Sequence, residues 1–195
     1  MHRICVFSGS NLGVRPEYQQ AAHALGQELA SRGLGLVYGG ASVGLMGVVA
    51  DAVLAAGGEV IGVLPRGLFS REVPHKHLTE LREVGSMHER KALMADLANG
   101  FIALPGGYGT FDELFEIITW AQLGLHSKPI GLLDVADYFA PLLALIAHAT
   151  KEGFIPSDHT KLLLQEENPV TLLNRFEAYT PPAGSSKSPE PPLGR

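Results

Sequence analysis

Three times in this chain an apolar run breaks at a cluster of glycine and small polar residues and hands over to a stretch with helical periodicity. Arg3 to Phe7 leads through Ser8-Gly9-Ser10-Asn11 into a helix predicted from Pro16 to Arg32, with Gly33 placed to end it. Leu34 to Tyr38 leads through Gly39-Gly40-Ala41-Ser42-Val43-Gly44-Leu45-Met46-Gly47 into a helix to about Ala56. Phe101 to Leu104 leads through Pro105-Gly106-Gly107-Tyr108-Gly109 into a helix from Thr110 to about Leu123. Strands that alternate with helices pair in parallel, because a helix packed on the sheet makes each return crossing. The fold class that follows is α/β: a single-domain, doubly wound, Rossmann-like, mostly parallel sheet with helices on both faces.

The remaining elements fit the same plan. Glu59 to Leu64 reads as a strand stopped by Pro65, and Pro129 to Leu133 as another. Ser86 opens a helix to about Ala98, Tyr138 begins one to Thr150, and Leu162 to Gln165 reads as a short edge strand. Asn168 as N-cap with Pro169 behind it starts a last helix to about Ala178. The stretch Arg66 to Thr79 has little periodicity and reads as a long loop, a length often associated with function. Residues 1–179 form the expected domain, and residues 180–195, rich in proline, serine and glycine, a disordered tail without catalytic role.

The formal net charge of −5 over 195 residues argues against a nucleic-acid or anionic-membrane surface. No segment has the length of a membrane span, and the N-terminal apolar run is too short for a secretory signal, so a cytoplasmic protein is expected. The single cysteine, Cys5, lies inside an apolar strand and reads as a core residue.

In a parallel sheet, the loops after the strands gather at one edge and make a crevice there. Ser8, Gly9 and Ser10 either line that crevice or only make the turn. The loop carrying Gly39, Gly40 and Gly44 suggests an anion cradle at a helix N-terminus. It is not a phosphate loop of the Gly-Lys-Ser/Thr kind, nor a dinucleotide fingerprint, whose glycine spacing would follow the first strand. The third loop, Pro105 to Gly109, again offers backbone N–H groups and the positive end of a helix to a phosphate. Thr110-Phe111-Asp112-Glu113 carries the pattern of a capping box, with Thr110 as N-cap; equally, Glu113 faces a ligand held by the loop, and the two roles are compatible.

Ser86-Met87-His88-Glu89-Arg90-Lys91 carries a second capping-box pattern. Met87, Arg90, Met94 and Leu97 share one helical stripe, which places the Arg90 guanidinium on an otherwise apolar face. Arg90 and Lys91 are either a solvated pair or, for Arg90, an inward cation that needs an anion, whether a phosphate or Glu113. His75 and His77 share a face on an extended segment, but no third ligand is evident and no metal is expected.

Pro-Gly-Gly-x-Gly-Thr-x-x-Glu at Pro105 to Glu113, Met87-His88-x-Arg90-Lys91, and Gly-Gly-x-x-x-Gly-Leu-Met-Gly at Gly39 to Gly47 together resemble the Lonely Guy (LOG) phosphoribohydrolases. The resemblance runs from about Arg3 to Ala178. It implies cleavage of a nucleoside 5′-monophosphate, such as AMP or a cytokinin riboside monophosphate, to free base and ribose 5-phosphate, with no metal or organic cofactor and a homodimer as the assembly. It further implies Arg90 and Glu113 as the catalytic pair, and Glu72, Lys91, Gly107, Tyr108, Gly109, Thr110, Phe111, Asp112 and Thr119 as substrate contacts. Asp112 departs from the glutamate of many plant members. The family's older label, lysine decarboxylase, requires a lysine able to form a Schiff base with pyridoxal phosphate; His75-Lys76, in the unpatterned loop, is a faint match. The rival reading is a non-catalytic carrier of a nucleotide or of molybdenum cofactor, which needs the cradle but not Glu113.

Overall fold

The structure, a computed structural model, describes residues 1–68 and 73–182. Seven strands form one sheet in the order β4-β3-β2-β1-β5-β6-β7. They are β1 (Arg3–Phe7), β2 (Gly35–Tyr38), β3 (Val60–Pro65), β4 (Glu80–Val84), β5 (Gly100–Ala103), β6 (Ile130–Leu133) and β7 (Leu163–Glu166), and every neighbouring pair is parallel. The helices are α1 (Pro16–Ser31), α2 (Gly44–Ala55), α3 (Met87–Leu97), α4 (Tyr108–Gln122), α5 (Ala140–Lys151) and α6 (Pro169–Glu177).

The central strands are buried on both faces, as their unbroken apolar runs require. On one face Ile4, Val6, Leu36 and Tyr38 meet Leu25, Leu29, Val49, Val53 and Leu172 from α1, α2 and α6. On the other, Cys5, Phe7, Val37 and Phe101 meet Met94, Leu114 and Ile117 from α3 and α4. Gly26 lets α1 and α2 touch, since a Cβ there would lie 2.6 Å from that of Ala52. Desolvation holds the buried Cys5 thiol well above its ordinary pKa, in keeping with a core role.

Two expectations are corrected. β4 falls where no strand is expected, just after the long loop. Its sequence Glu-Leu-Arg-Glu-Val is charged and half exposed because it is the sheet's edge, where charges discourage further pairing. The capping box at Thr110 is absent: α4 begins at Tyr108, with Gly107 as N-cap and, among the described residues, no side-chain cap bond. Thr110 is buried at the third helical position, and Asp112 and Glu113 stand in the second turn, not the first. The second box forms in altered shape. Ser86 Oγ accepts from Glu89 N at 3.1 Å, while the Glu89 carboxylate accepts from Gly85 N at 2.8 Å, not from Ser86. Asn168 caps α6 as expected. The tail predicted from residue 180 lies outside the described residues from 183 onward.

Candidate active site

The three glycine loops meet where the strand order reverses direction about β1 and β5. Gly9 N donates to Pro105 O at 3.0 Å and Gly9 O accepts from Leu45 N at 3.0 Å, so the first loop is tied to the other two. The packing there excludes larger residues. A Cβ on Gly44, whose φ is +60°, would sit 2.2 Å from the Ser10 carbonyl carbon, and one on Gly106 would sit 2.1 Å from Thr110 Oγ1. Buried Thr110 thus underlies the loop instead of capping the helix. Gly107 and Gly109, by contrast, meet nothing within 4 Å among the described residues, so the outer surface of this helix N-terminus is open to a ligand.

A cleft of about 200 Å³ opens over that surface, lined by Ser8, Gly9, Ser10, Met46, Met87, Arg90, Gly107, Tyr108, Gly109, Thr110, Asp112 and Glu113. Most of the residues singled out from the sequence are therefore brought together. Arg90 is 4% exposed, so the solvated-pair reading fails for it. Its Nη2 donates to Gly39 O at 3.2 Å, which explains why position 39 is glycine: a Cβ there would be 2.0 Å from Nη2. Burying a guanidinium is costly unless its charge is met by an anion and its N–H groups by acceptors. Glu113 lines the same cleft one turn beyond the open loop, and the fields of Glu113 and Arg90 both reach the Cys5 thiol, from opposite signs. The cleft therefore joins an anion-binding helix terminus, a buried cation and a carboxylate, the components needed to hold a phosphate and act on a bond a few ångströms away.

Other expected contacts lie elsewhere. Lys91 does not line the cleft; its Nζ pairs with Asp112 and Glu116, each at 3.1 Å. Burial alone would lower its pKa, but the hydrogen bonds to Glu116 and Asp112 outweigh that and raise it. Thr119 faces away, donating to Phe115 O and lining an apolar groove between α4 and α5. Phe111 packs against the core. Gly40, at φ +82°, accepts from His75 N at 2.9 Å. Glu72 lies outside the described residues. His75 is engaged on both ring nitrogens, Nε2 against Asp51 at 3.0 Å and Nδ1 accepting from His77 N, so it fixes the 73–77 segment over the second loop.

Two supporting residues escape a sequence reading. Tyr138 donates to Gly106 O and steadies the third loop. Asp134, 2% exposed, accepts from Phe139 N at 2.8 Å and Gln165 Nε2 at 2.7 Å, holding the turn that delivers Tyr138. Ser8, for which the sequence leaves open whether it lines the crevice or only makes the turn, lines the cleft, its Oγ buried with no hydrogen-bond partner among the described residues. An acid directly after a strand, as at Leu133-Asp134, is the one signal that points to the second of these.

Residues 46–176 match the family model described as "Possible lysine decarboxylase". A rice (Oryza sativa subsp. japonica) probable cytokinin riboside 5′-monophosphate phosphoribohydrolase is 52% identical over 179 residues, covering 92% of this chain and 79% of the relative. An Arabidopsis thaliana cytokinin riboside 5′-monophosphate phosphoribohydrolase is 51% identical, covering 92% and 82%. Among solved structures, the molybdenum cofactor binding protein of Rippkaea orientalis shares the fold at 21% identity and TM-score 0.68, covering 91% of this chain and 96% of that one. The molybdenum cofactor carrier protein of Chlamydomonas reinhardtii does so at 21% and 0.67, covering 91% and 99%.

Proposed function

The chain belongs to the Lonely Guy family of cytokinin riboside 5′-monophosphate phosphoribohydrolases, and from that membership we propose that it hydrolyses the N-glycosidic bond of AMP or of an N6-substituted adenosine monophosphate. Water adds its oxygen to C1′ and gives up a proton, the C1′–N bond breaks with its electron pair going to the base, which takes up a proton, and the products are free base and D-ribose 5-phosphate. The observation that carries the reading is the buried Arg90 sharing one cleft with Glu113 at the mouth of an open, glycine-lined helix terminus. The N–H groups of Gly107, Tyr108 and Gly109 hold the 5′-phosphate and so fix the sugar over Glu113. The Glu113 carboxylate stabilises the positive charge that grows at C1′ or activates the attacking water. Arg90, lining the same cleft, turns its positive charge toward that carboxylate or the sugar hydroxyls and orients them. Lys91 acts indirectly, by bracing α3 against α4.

The carrier fold is shared at 21% identity only, against about half identity with the phosphoribohydrolases, and a carrier has no use for Glu113 in the cleft. Nor do the residues fit pyridoxal phosphate: Lys76 is exposed, Lys91 is paired with two acids, and no lysine lines the cleft among the described residues.

The assembly we infer is a homodimer in the cytoplasm. α5 reads Ala-Pro-Leu-Leu-Ala-Leu-Ile-Ala-His-Ala-Thr-Lys, yet none of its residues is buried by the described residues around it. Beside it lies the apolar groove of Phe115, Ile118, Leu143, Ile146 and Ile155, an unpartnered surface suited to a second copy. No described helix is long and apolar enough to cross a membrane.

The test of the catalytic assignment is Glu113→Gln beside Asp112→Asn. Loss of a general base or of an electrostatic stabiliser commonly costs about 10²–10⁴-fold. The first variant is expected to bind AMP within about tenfold of wild type and lose at least about 10²-fold in turnover, the second to lose much less. A Glu113→Gln protein turning AMP over at near wild-type rate removes the assignment.

A further inference from the structure

Ser8 follows β1 directly, so its hydroxyl lacks the helical carbonyl three or four residues back that commonly satisfies a serine. It is 8% exposed, and among the described residues its Oγ has no hydrogen-bond partner. A buried hydroxyl left in that state opposes folding, and native structures keep few of them without a reason. The position supplies one. Ser8 lines the same cleft as Arg90, Glu113 and the open loop at Gly107 and Gly109. With a phosphate on that loop and C1′ near Glu113, the group between them is the ribose, whose 2′- and 3′-hydroxyls each donate and accept. Its neighbours cannot easily use the Ser8 hydroxyl instead, because Gly9 N is committed to Pro105 O and Phe7 O to Leu104 N.

We propose that the Ser8 hydroxyl is a sugar-recognition group, pairing with a ribose hydroxyl of the bound substrate and selecting ribonucleotides over deoxyribonucleotides. This rests on the phosphoribohydrolase reading for its substrate class, and it names a specificity residue within that site. A pocket that merely contains a hydroxyl discriminates weakly, whereas a buried polar group that needs the substrate's hydroxyl discriminates strongly, since the analogue leaves it unpaired.

The experiment measures kcat/KM for AMP, 2′-deoxy-AMP and 3′-deoxy-AMP in wild type and in Ser8→Ala. Ser8→Ala is expected to lower the AMP value by at least about tenfold while changing that of one deoxy analogue by less than about twofold, so the preference collapses. Equal losses on all three substrates overturn the proposal. Thermal unfolding separates recognition from structure: removing an unpartnered hydroxyl leaves the melting temperature of the free protein unchanged or raises it, and a fall shows a structural bond instead. Ser8→Cys, close in size and a weaker donor, gives an intermediate preference and serves if the alanine variant does not fold. A second readout needs no hydrolysis. Ribose 5-phosphate raises the melting temperature of the wild type more than does whichever of 2-deoxyribose 5-phosphate and 3-deoxyribose 5-phosphate lacks the paired hydroxyl, and Ser8→Ala removes that difference. Wild type that releases no base but still tells the sugar phosphates apart through Ser8 sinks the hydrolase reading alone; no discrimination in either assay sinks this one.

Discussion

Replacing Gly39 by alanine is the least invasive way to move Arg90. The backbone at Gly39 is not in the left-handed region, so alanine is not strained there, and the perturbation is the new methyl group alone. That methyl carbon would lie 2.0 Å from Arg90 Nη2, 3.2 Å from Cζ and 3.3 Å from Met46 Sδ, whereas ordinary contact begins at 3.4 Å. The guanidinium therefore retreats by about 1.4 Å at Nη2 and its bond to Gly39 O is broken. A displacement near 1 Å in a catalytic constellation costs on the order of 10²-fold, or about 2.7 kcal/mol of barrier. Base release from AMP followed by chromatography reads that loss, and calorimetric unfolding checks that the fold survives. The loss should act only through the arginine. In an Arg90→Ala background Gly39→Ala is expected to cost less than about 0.5 kcal/mol further, so the double-mutant cycle shows strong coupling. A Gly39→Ala protein within about threefold of wild-type kcat, or one whose loss is fully additive with that of Arg90→Ala, refutes the positioning of Arg90 by the second loop.

Three further outcomes are expected. Asp134→Ala strands Phe139 N and Gln165 and should destabilise the protein by about 2–4 kcal/mol in urea unfolding, while Asp134→Asn, whose Oδ1 still accepts from Phe139 N and whose Nδ2 donates to Gln165 once that amide turns over, recovers most of that. The Glu59 carboxylate is held below its usual pKa, first by the hydrogen bond from Arg3, so its contribution is present above the ordinary value of about 4.3 and lost as pH falls through the lowered one. Because the pair is partly exposed, Glu59→Gln should cost under about 1 kcal/mol near neutrality and flatten the stability profile on its acid side. Light scattering at micromolar concentration should give a dimer mass or larger for wild type, and Leu143→Asp with Ile146→Asp, placed in the α4–α5 groove, should shift it to monomer; a wild-type monomer contradicts the assembly.

What was legible in the sequence was whatever local chemistry decides. Alternation of apolar runs with glycine breaks pointed to the parallel sheet, and the stripe of Met87, Arg90, Met94 and Leu97 made an inward Arg90 one of two open readings, which its burial decides. Edge strand β4 was hidden because an edge needs charge instead of alternation, and Glu80, Arg82 and Glu83 erase the periodic signal. The start of α4 was misread because Gly107 caps through its backbone while Thr110, which carries the capping pattern, is buried under Gly106. The partners of Lys91 come from α4, about twenty residues on, and the burial of Ser8 depends on two other loops arriving above it. No spacing within the chain encodes such meetings.

In the proposed reaction a phosphate seated on the Gly107–Thr110 helix terminus positions the ribosyl bond for hydrolysis. The most direct test of that positioning is the rate of free-base and ribose-phosphate formation from AMP set against adenine release from adenosine under the same conditions. The site as described predicts kcat/KM for AMP higher by at least about tenfold, the ratio that ~1.4 kcal/mol of phosphate binding supports. Equal values for the two substrates, or AMP bound and released intact, would contradict it.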